Sequence, residues 1–265
     1  MGLQTDQSTT ILFRCNLCGR DNSAPVQSKH RELLNCAQCG SSARARGVAY
    51  AVQRDILRDT QTPLREAAPR KHLRGVGMSD WTGYAADLER IFDYTNTFYH
   101  QEPRLDVTDA ASAQKYQDLD FIISSDVLEH IVAPVSQALK NIRSMMRDDG
   151  LFILTAPYVE GYESIEHFPH LHNFKIVSND GGYVLENRTA NGLQERFEHL
   201  IFHGGPGSPL ALRLFVSFSL LPLLPSSFFP FSLLSPLSSL LFSLFSSFFS
   251  SFLLSFSLFF SFFLS

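Results

Sequence analysis

The hydrophobic pattern is clearest from Asp118 to Tyr158, which reads DLDFIISSDVLEHIVAPVSQALKNIRSMMRDDGLFILTAPY. The unbroken apolar run Phe121-Ile122-Ile123 predicts a buried strand. Beyond it, Val135, Ala138, Leu139, Ile142, Met145 and Met146 recur at helical spacing and lay one apolar stripe toward the core. A second apolar run, Leu151 to Ala156, predicts another strand. Strand, helix and strand in this order make a parallel pair. Ligands of open parallel sheets bind beyond the carboxyl ends of the strands, and the polar turn from Ser124 to His130 stands at such an end. This turn, with Asp126, Glu129 and His130, is the expected functional edge.

Weaker periodicities extend the pattern on both sides. Arg44 to Asp59 predicts a helix with Val48, Val52 and Ile56 on one stripe beside Ala45, Ala49 and Leu57. Its Arg44, Arg46, Arg54 and Arg58 read as a solvated face, with contact to an anionic substrate or RNA as the other reading. Thr60 to Arg70, with Pro63 and Pro69, reads as a linker. Lys71 to Asp80 predicts a strand running into a Gly75-Val76-Gly77 turn, and Tyr84, Leu88 and Ile91 predict the helix after it, with Ser79 or Asp80 as its cap. Asp93 to Phe98 predicts a strand, and Asp109 caps a short helix from Ala110 to Tyr116. Phe174 to Ser178 and Tyr183 to Asn187 flank Asn179-Asp180-Gly181-Gly182, a strong hairpin signal. Phe197 to Phe202 predicts one more strand. His167, His170 and His172 are closely spaced, but their spacing fits substrate contact or loop packing better than a metal site.

Composition changes the picture at the end of the chain. The formal net charge is −4, and every charged residue lies before Val216. From Ser217 to Ser265 each residue is Phe, Leu, Ser or Pro, the four amino acids whose codons can consist solely of pyrimidines. A translated C/T repeat explains such a tract. A membrane anchor is the rival reading, because Leu237 to Ser265 contains no proline and has the length to span a bilayer. The polar start, MGLQTDQSTT, lacks the basic and apolar regions of a secretory signal. The expected location is the cytoplasm, with membrane association through residues 237–265 as the alternative. The mild negative charge gives no strong nucleic-acid signal.

All four cysteines fall in one pattern: Cys15-x2-Cys18, seventeen residues, then Cys36-x2-Cys39. Two such pairs bring four thiolates to the corners of a tetrahedron around one Zn²⁺. Gly19 and Gly40 follow the pairs and allow tight turns. With four thiolate ligands the site is closed, so its role is structural or recognitional rather than catalytic. Two disulfides are the other reading, one that a reducing compartment disfavours.

The stretch DFIISSDVLEHI followed by ALKNIRSMMRDDGLFILTAPY resembles the segment after the fourth strand of class I S-adenosylmethionine (SAM)-dependent methyltransferases. The resemblance extends over roughly Lys71 to Val216. It implies an α/β protein with a Rossmann-like, doubly wound, mostly parallel sheet, and the cysteine spacing places a small zinc-ribbon-like module before it. The implied divisions are a tail at 1–10, the zinc module at 11–43, helix and linker at 44–70, the SAM-binding domain at 71–216 and the low-complexity tail at 217–265. By the same resemblance Gly75, Gly77, Asn96, Asp106, Ser125 and Asp126 line the cofactor. Asn96 stands about where the family places a ribose-binding acid, and Asp106 where it places a residue near the adenine. Asp120 matches the family's aspartate at the start of the fourth strand. Asp148-Asp149-Gly150 replaces the family's Pro-Gly-Gly turn. Glu129 and His130 are the catalytic candidates, with structural roles favoured for both. The implied reaction is methyl transfer to an unidentified acceptor, and the closing strands of the family have no convincing counterpart after Val216. The reading from another class is a zinc-dependent binding module that no longer catalyses.

Overall fold

A computed structural model describes residues 10–25, 34–159, 164–179, 182–200, 202 and 209–216. These residues form two compact units, one ending at Asn96 and one beginning at Thr97. The protein is α/β, with a four-stranded sheet whose last pair is parallel, helices, and a cluster of four cysteines. No helix among the described residues is long and apolar enough to cross a membrane. The tail at 217–265, and with it the stretch 237–265, lies outside the described residues.

The first unit opens with an antiparallel pair, β1 (Thr10–Arg14) and β2 (Asp21–Pro25), joined by the first cysteine pair. Helix α1 (Ala43–Ala51) is capped by the Ser42 side chain, which accepts from Ala45 N. The expected helix to Asp59 changes character at Val52: residues Val52–Leu57 form a π-helical stretch that ends on left-handed Arg58. Widening the helix here accompanies the burial of Gln53, whose Nε2 donates to the main-chain oxygens of Asn16 (3.2 Å) and Thr62 (2.7 Å). The expected linker is therefore part of the unit. Leu64 is buried, and the main chain at Leu64 and Arg65 donates to Asn16 and Leu17 of the first cysteine turn. Strand β3 (Arg74–Met78), helix α2 (Thr82–Ile91) and strand β4 (Asp93–Thr97) follow. In α2, Tyr84, Leu88 and Ile91 are buried as their spacing predicted.

In the second unit, Asp109 caps α3 (Ala110–Ala113), accepting from Ala111 N at 3.0 Å; the helix is shorter than the expected Ala110 to Tyr116. Strand β5 (Leu119–Ser125), helix α4 (Val135–Met145) and strand β6 (Met146–Thr155) give the anticipated parallel unit. Asp148-Asp149-Gly150 is not a turn before the strand. It lies inside β6, where the register against β5 jumps from Leu119↔Met146 to Phe121↔Leu151, so that residues 147–150 bulge outward. A Cβ on Gly150 would sit 2.9 Å from the Leu119 oxygen, which is why glycine is needed at the base of the bulge. On the other side, Asp120 accepts from Arg147 at 2.9 Å.

Short strands β7 (Tyr158–Val159) and β8 (Ile165–Glu166) precede the hairpin β9 (Asn173–Asn179) and β10 (Gly182–Arg188). The two strands pair antiparallel from Asn179↔Gly182, in keeping with the hairpin signal; Asp180 and Gly181 lie outside the described residues. The strand expected at Phe197 to Phe202 is displaced to β11 (Gln194–Phe197). The last strand, β12 (Arg213–Val216), has no counterpart in the sequence reading. It runs parallel to β7 and antiparallel to β8, as the middle strand of a separate three-stranded sheet. A small core of Leu171, Leu185, Leu210 and Leu212 ties the hairpin to this segment.

Candidate functional site

The cysteine cluster is built from two near-identical turns. Cys15 N donates to Arg20 O and Gly19 N to Cys15 O; Cys36 N donates to Ser41 O and Gly40 N to Cys36 O. Gly19 (φ +76°) and Gly40 (φ +74°) take the left-handed conformation each turn requires. The four Sγ atoms lie within 4.8 Å of one another. Cys15–Cys39 and Cys18–Cys36 are each 3.6 Å apart, far beyond the roughly 2.05 Å of a disulfide. A tetrahedral Zn²⁺ with Zn–S bonds of about 2.3 Å needs sulfurs about 3.8 Å apart, so the residues fit the ion. Burial works against ionisation of Cys36. The amides of Cys39 and Gln38 and the thiols of Cys18 and Cys39 nevertheless bring it down to about 6, while burial foremost pushes Cys18 up to about 12. Four adjacent thiols cannot all ionise together, and a divalent cation removes that conflict.

Around the thiols sits a layer the sequence reading missed. Ser41 Oγ is 3.4 Å from Cys15 Sγ and 3.2 Å from Cys39 Sγ. Arg46, expected on a solvated face, is half-buried instead. Its guanidinium lies 4.3 Å from the centre of the Phe13 ring and donates to Ser41 O (2.5 Å) and Leu34 O (2.8 Å). Arg54 pairs with its neighbour Asp55 at 2.5 Å, also half-buried. The signal for Arg46 was its helical position beside a cysteine turn, visible only once the turn's far wall, Phe13, is in place.

At the carboxyl end of β3 the structure rearranges the expected roles. Gly75 and Gly77 lie within the strand rather than in a turn after it. The chain turns at Ser79, which is left-handed at φ +57°. Neither Ser79 nor Asp80 caps α2; its N-cap is Trp81, without a side-chain hydrogen bond. The buried Asp80 carboxylate instead accepts from Tyr84 Oη at 2.7 Å and from Tyr94 Oη. Burial raises the Asp80 carboxyl from 3.8 to about 6, against the lowering effect of the two tyrosines, and pushes the Tyr94 hydroxyl well above its ordinary value. A side chain at Gly77 would collide with Tyr94 Oη and with the Asp80 carboxylate, so glycine is required here by the protein's own packing. Both ends of the buried Asn96 amide are engaged with the Asp80 main chain: Oδ1 accepts from N at 2.9 Å, and Nδ2 donates to O at 3.0 Å.

In the second unit, Asp106 folds back on its own turn, accepting from Thr108 N (2.9 Å) and Thr108 Oγ1 (2.7 Å). Ser125 and Asp126 are brought together. Thr155 of β6 is 2.9 Å from Ser125 Oγ and donates to Asp126 Oδ1 at 3.2 Å, while Asp126 N donates to Thr155 O at 2.9 Å. Asp126 is left-handed at φ +59°. A 3₁₀ turn, Leu128–His130, carries the buried Glu129 and the half-buried His130. Arg213 of β12, 1% exposed, donates to Leu128 O and, at 2.7 Å, to Glu166 Oε1. The sequence signal for it was a lone charge in the apolar run Leu210 to Val216, on the same strand face as the buried Phe215. His167, His170 and His172 form no metal group among the described residues. Main-chain bonds pack their loop, His167 N to Leu212 O and Asn187 Nδ2 to His170 O. No protein-family model matches the sequence, and a search of curated proteins finds no match.

Proposed function

We propose that the protein is a class I SAM-dependent methyltransferase with a Rossmann-like sheet and an amino-terminal zinc-ribbon-like module. What carries this reading is the unit β5–turn–α4–β6, a parallel pair whose polar turn stands at the carboxyl end of β5 with Ser125 and Asp126 locked onto Thr155. Non-glycine residues in the left-handed conformation close both β3, at Ser79, and β5, at Asp126. Such backbone costs on the order of 1 kcal/mol or more and gathers at ligand sites. In this reading the family resemblance assigns Gly75, Gly77, Asn96, Asp106, Ser125 and Asp126 to cofactor contacts. Gly77 and Asn96 act by shaping the end of β3, and Ser125 and Asp126 by presenting polar groups. SAM supplies a methyl group on a sulfonium, and the chain's task is to hold the acceptor in line with it. Zn²⁺, held by Cys15, Cys18, Cys36 and Cys39, is structural, because four thiolates leave no open position. The methyl acceptor is not specified by the residues that line the turn.

Calorimetric titration of the full chain with SAM, and its displacement by the demethylated product, tests the reading. Binding in the micromolar range displaced by the product supports it; absence of any binding heat sinks it.

The engagement of Asn96 with the Asp80 main chain favours a second reading, a zinc-dependent binding module without catalysis. One zinc per chain together with no SAM affinity would select that alternative.

A further inference from the structure

One distant segment holds three consecutive residues of the turn after β5. Leu128 O accepts from Arg213, Leu212 N donates to Glu129 O at 2.9 Å, and His130 Nδ1 is 2.7 Å from Leu210 O. A carbonyl can only accept, so Nδ1 carries the proton, and in the neutral ring the lone pair belongs to Nε2. That nitrogen lies 3.9 Å from Oε1 of Glu129, whose side chain is 0% exposed, whereas the imidazole keeps 23% of its surface in solvent. The ring is thus fixed in orientation and tautomer, partly in solvent, with its basic nitrogen near a fully buried carboxylate. A positive charge on the ring would be offset by that carboxylate in surroundings of low dielectric. Burying the Arg213 guanidinium is costly unless it is well paired, and here part of its pairing goes to fixing this turn.

We infer that His130 is the proton acceptor of the reaction and that the methyl acceptor is protic, a hydroxyl or N–H group that loses its proton as it is methylated. The inference rests on the methyltransferase reading for the identity of the reaction. The acceptor's O–H or N–H bond breaks and its proton passes to Nε2. The freed electron pair forms the bond to the methyl carbon, and the carbon–sulfur pair leaves on sulfur. Glu129 balances the imidazolium, and Leu210 O and Arg213 position the turn.

The full chain labelled with ¹⁵N-histidine gives a direct test. The imidazole resonances that vanish in His130→Gln belong to His130, and they are expected to show the neutral tautomer protonated at Nδ1; a tautomer protonated at Nε2 overturns the inference. In a second arm, release of demethylated SAM is followed with phenol and imidazole as protic probes, and with dimethyl sulfide as a probe with no proton to lose. Protic probes alone are expected to react, and His130→Gln is expected to slow them at least ~100-fold with SAM affinity retained. Reaction of dimethyl sulfide alone, or an unimpaired His130→Gln, overturns the inference. Where no probe reacts, the tautomer decides. Loss of SAM binding in the calorimetric titration counts against the methyltransferase reading and leaves the tautomer result standing.

Discussion

The cysteine module and the turn after β5 both hold reactive side chains in fixed places, but by different means. In the module each cysteine pair is closed by bonds within a few residues, Gly19 N to Cys15 O and Gly40 N to Cys36 O, and the two turns have the same construction. In the turn after β5, the partners of Leu128, Glu129 and His130 come from Leu210 to Arg213, some eighty residues later. Local closure leaves a signature in spacing. Distant closure leaves almost none, because the anchoring segment obeys only the pattern of an ordinary strand.

The comparison breaks most visibly at the metal. If Zn²⁺ is the keystone of the module, Cys36→Ser, or removal of the ion by a chelator, is expected to unfold it outright. Structural zinc is worth about 10–16 kcal/mol in small domains, as much as the whole stability of many folds. Metal analysis and the far-ultraviolet circular dichroism of the variant check this, and a variant with native melting and no zinc would refute it.

The matching blow to the distant anchor is Arg213→Ala. Only Arg213 is fully buried, Glu166 keeping 33% of its side chain in solvent, so the expected cost is the lower end of the about 3–5 kcal/mol of a wholly buried pair. A loss of unfolding free energy in urea below about 1 kcal/mol would show that the anchor is dispensable.

Asp80 offers a sharper test of local construction, by pH. Its folded-state value, about 6, lies above the unfolded 3.8. Its contribution to stability is therefore fully present below pH 3.8 and is lost as the pH rises toward and through 6. The loss amounts to about 3 kcal/mol at roughly 1.4 kcal/mol per pKa unit. Asp80→Asn should flatten this window when its stability is compared with that of the native protein from pH 4 to 7; parallel curves would contradict the assignment.

The smallest expected effect concerns Gly77. Gly77→Ala should destabilise by about 1–3 kcal/mol through overpacking against Tyr94 Oη and Asp80. Tyr94→Phe in the same chain should recover part of that loss. Simple additivity of the two in denaturant melts would mean that the collision is not what makes glycine necessary.

Much of the frame was legible. The stripe from Val135 to Met145 and the run Phe121 to Ile123 are buried as their periods required, while Met146, expected on the same helix, opens β6; the strands on either side of the hairpin signal pair antiparallel. Where the reading missed, a nonlocal partner decided the outcome. Gly75-Val76-Gly77 looks like a turn because glycine usually buys backbone freedom; here Gly77 makes room for Tyr94, seventeen positions on. The residues 147–150 look like a turn because Asp-Asp-Gly favours one, but β5 continues past them and forces a bulge. Thr60 to Arg70 looks like a linker by its prolines, while Asn16 and Leu17 supply main-chain acceptors that no composition rule anticipates. Arg213, a lone charge in an apolar run, became interpretable only beside Leu128 O and Glu166.

The bond from Arg213 to the Leu128 carbonyl, spanning 85 residues, also has a bearing on synthesis. At about 5–20 residues per second, a ribosome needs on the order of 4–17 s to travel from one partner to the other. During that interval the cysteine module has every residue it requires, whereas the turn carrying Glu129 and His130 awaits its anchor. A nascent chain released early would thus carry a finished cysteine module and an unset turn.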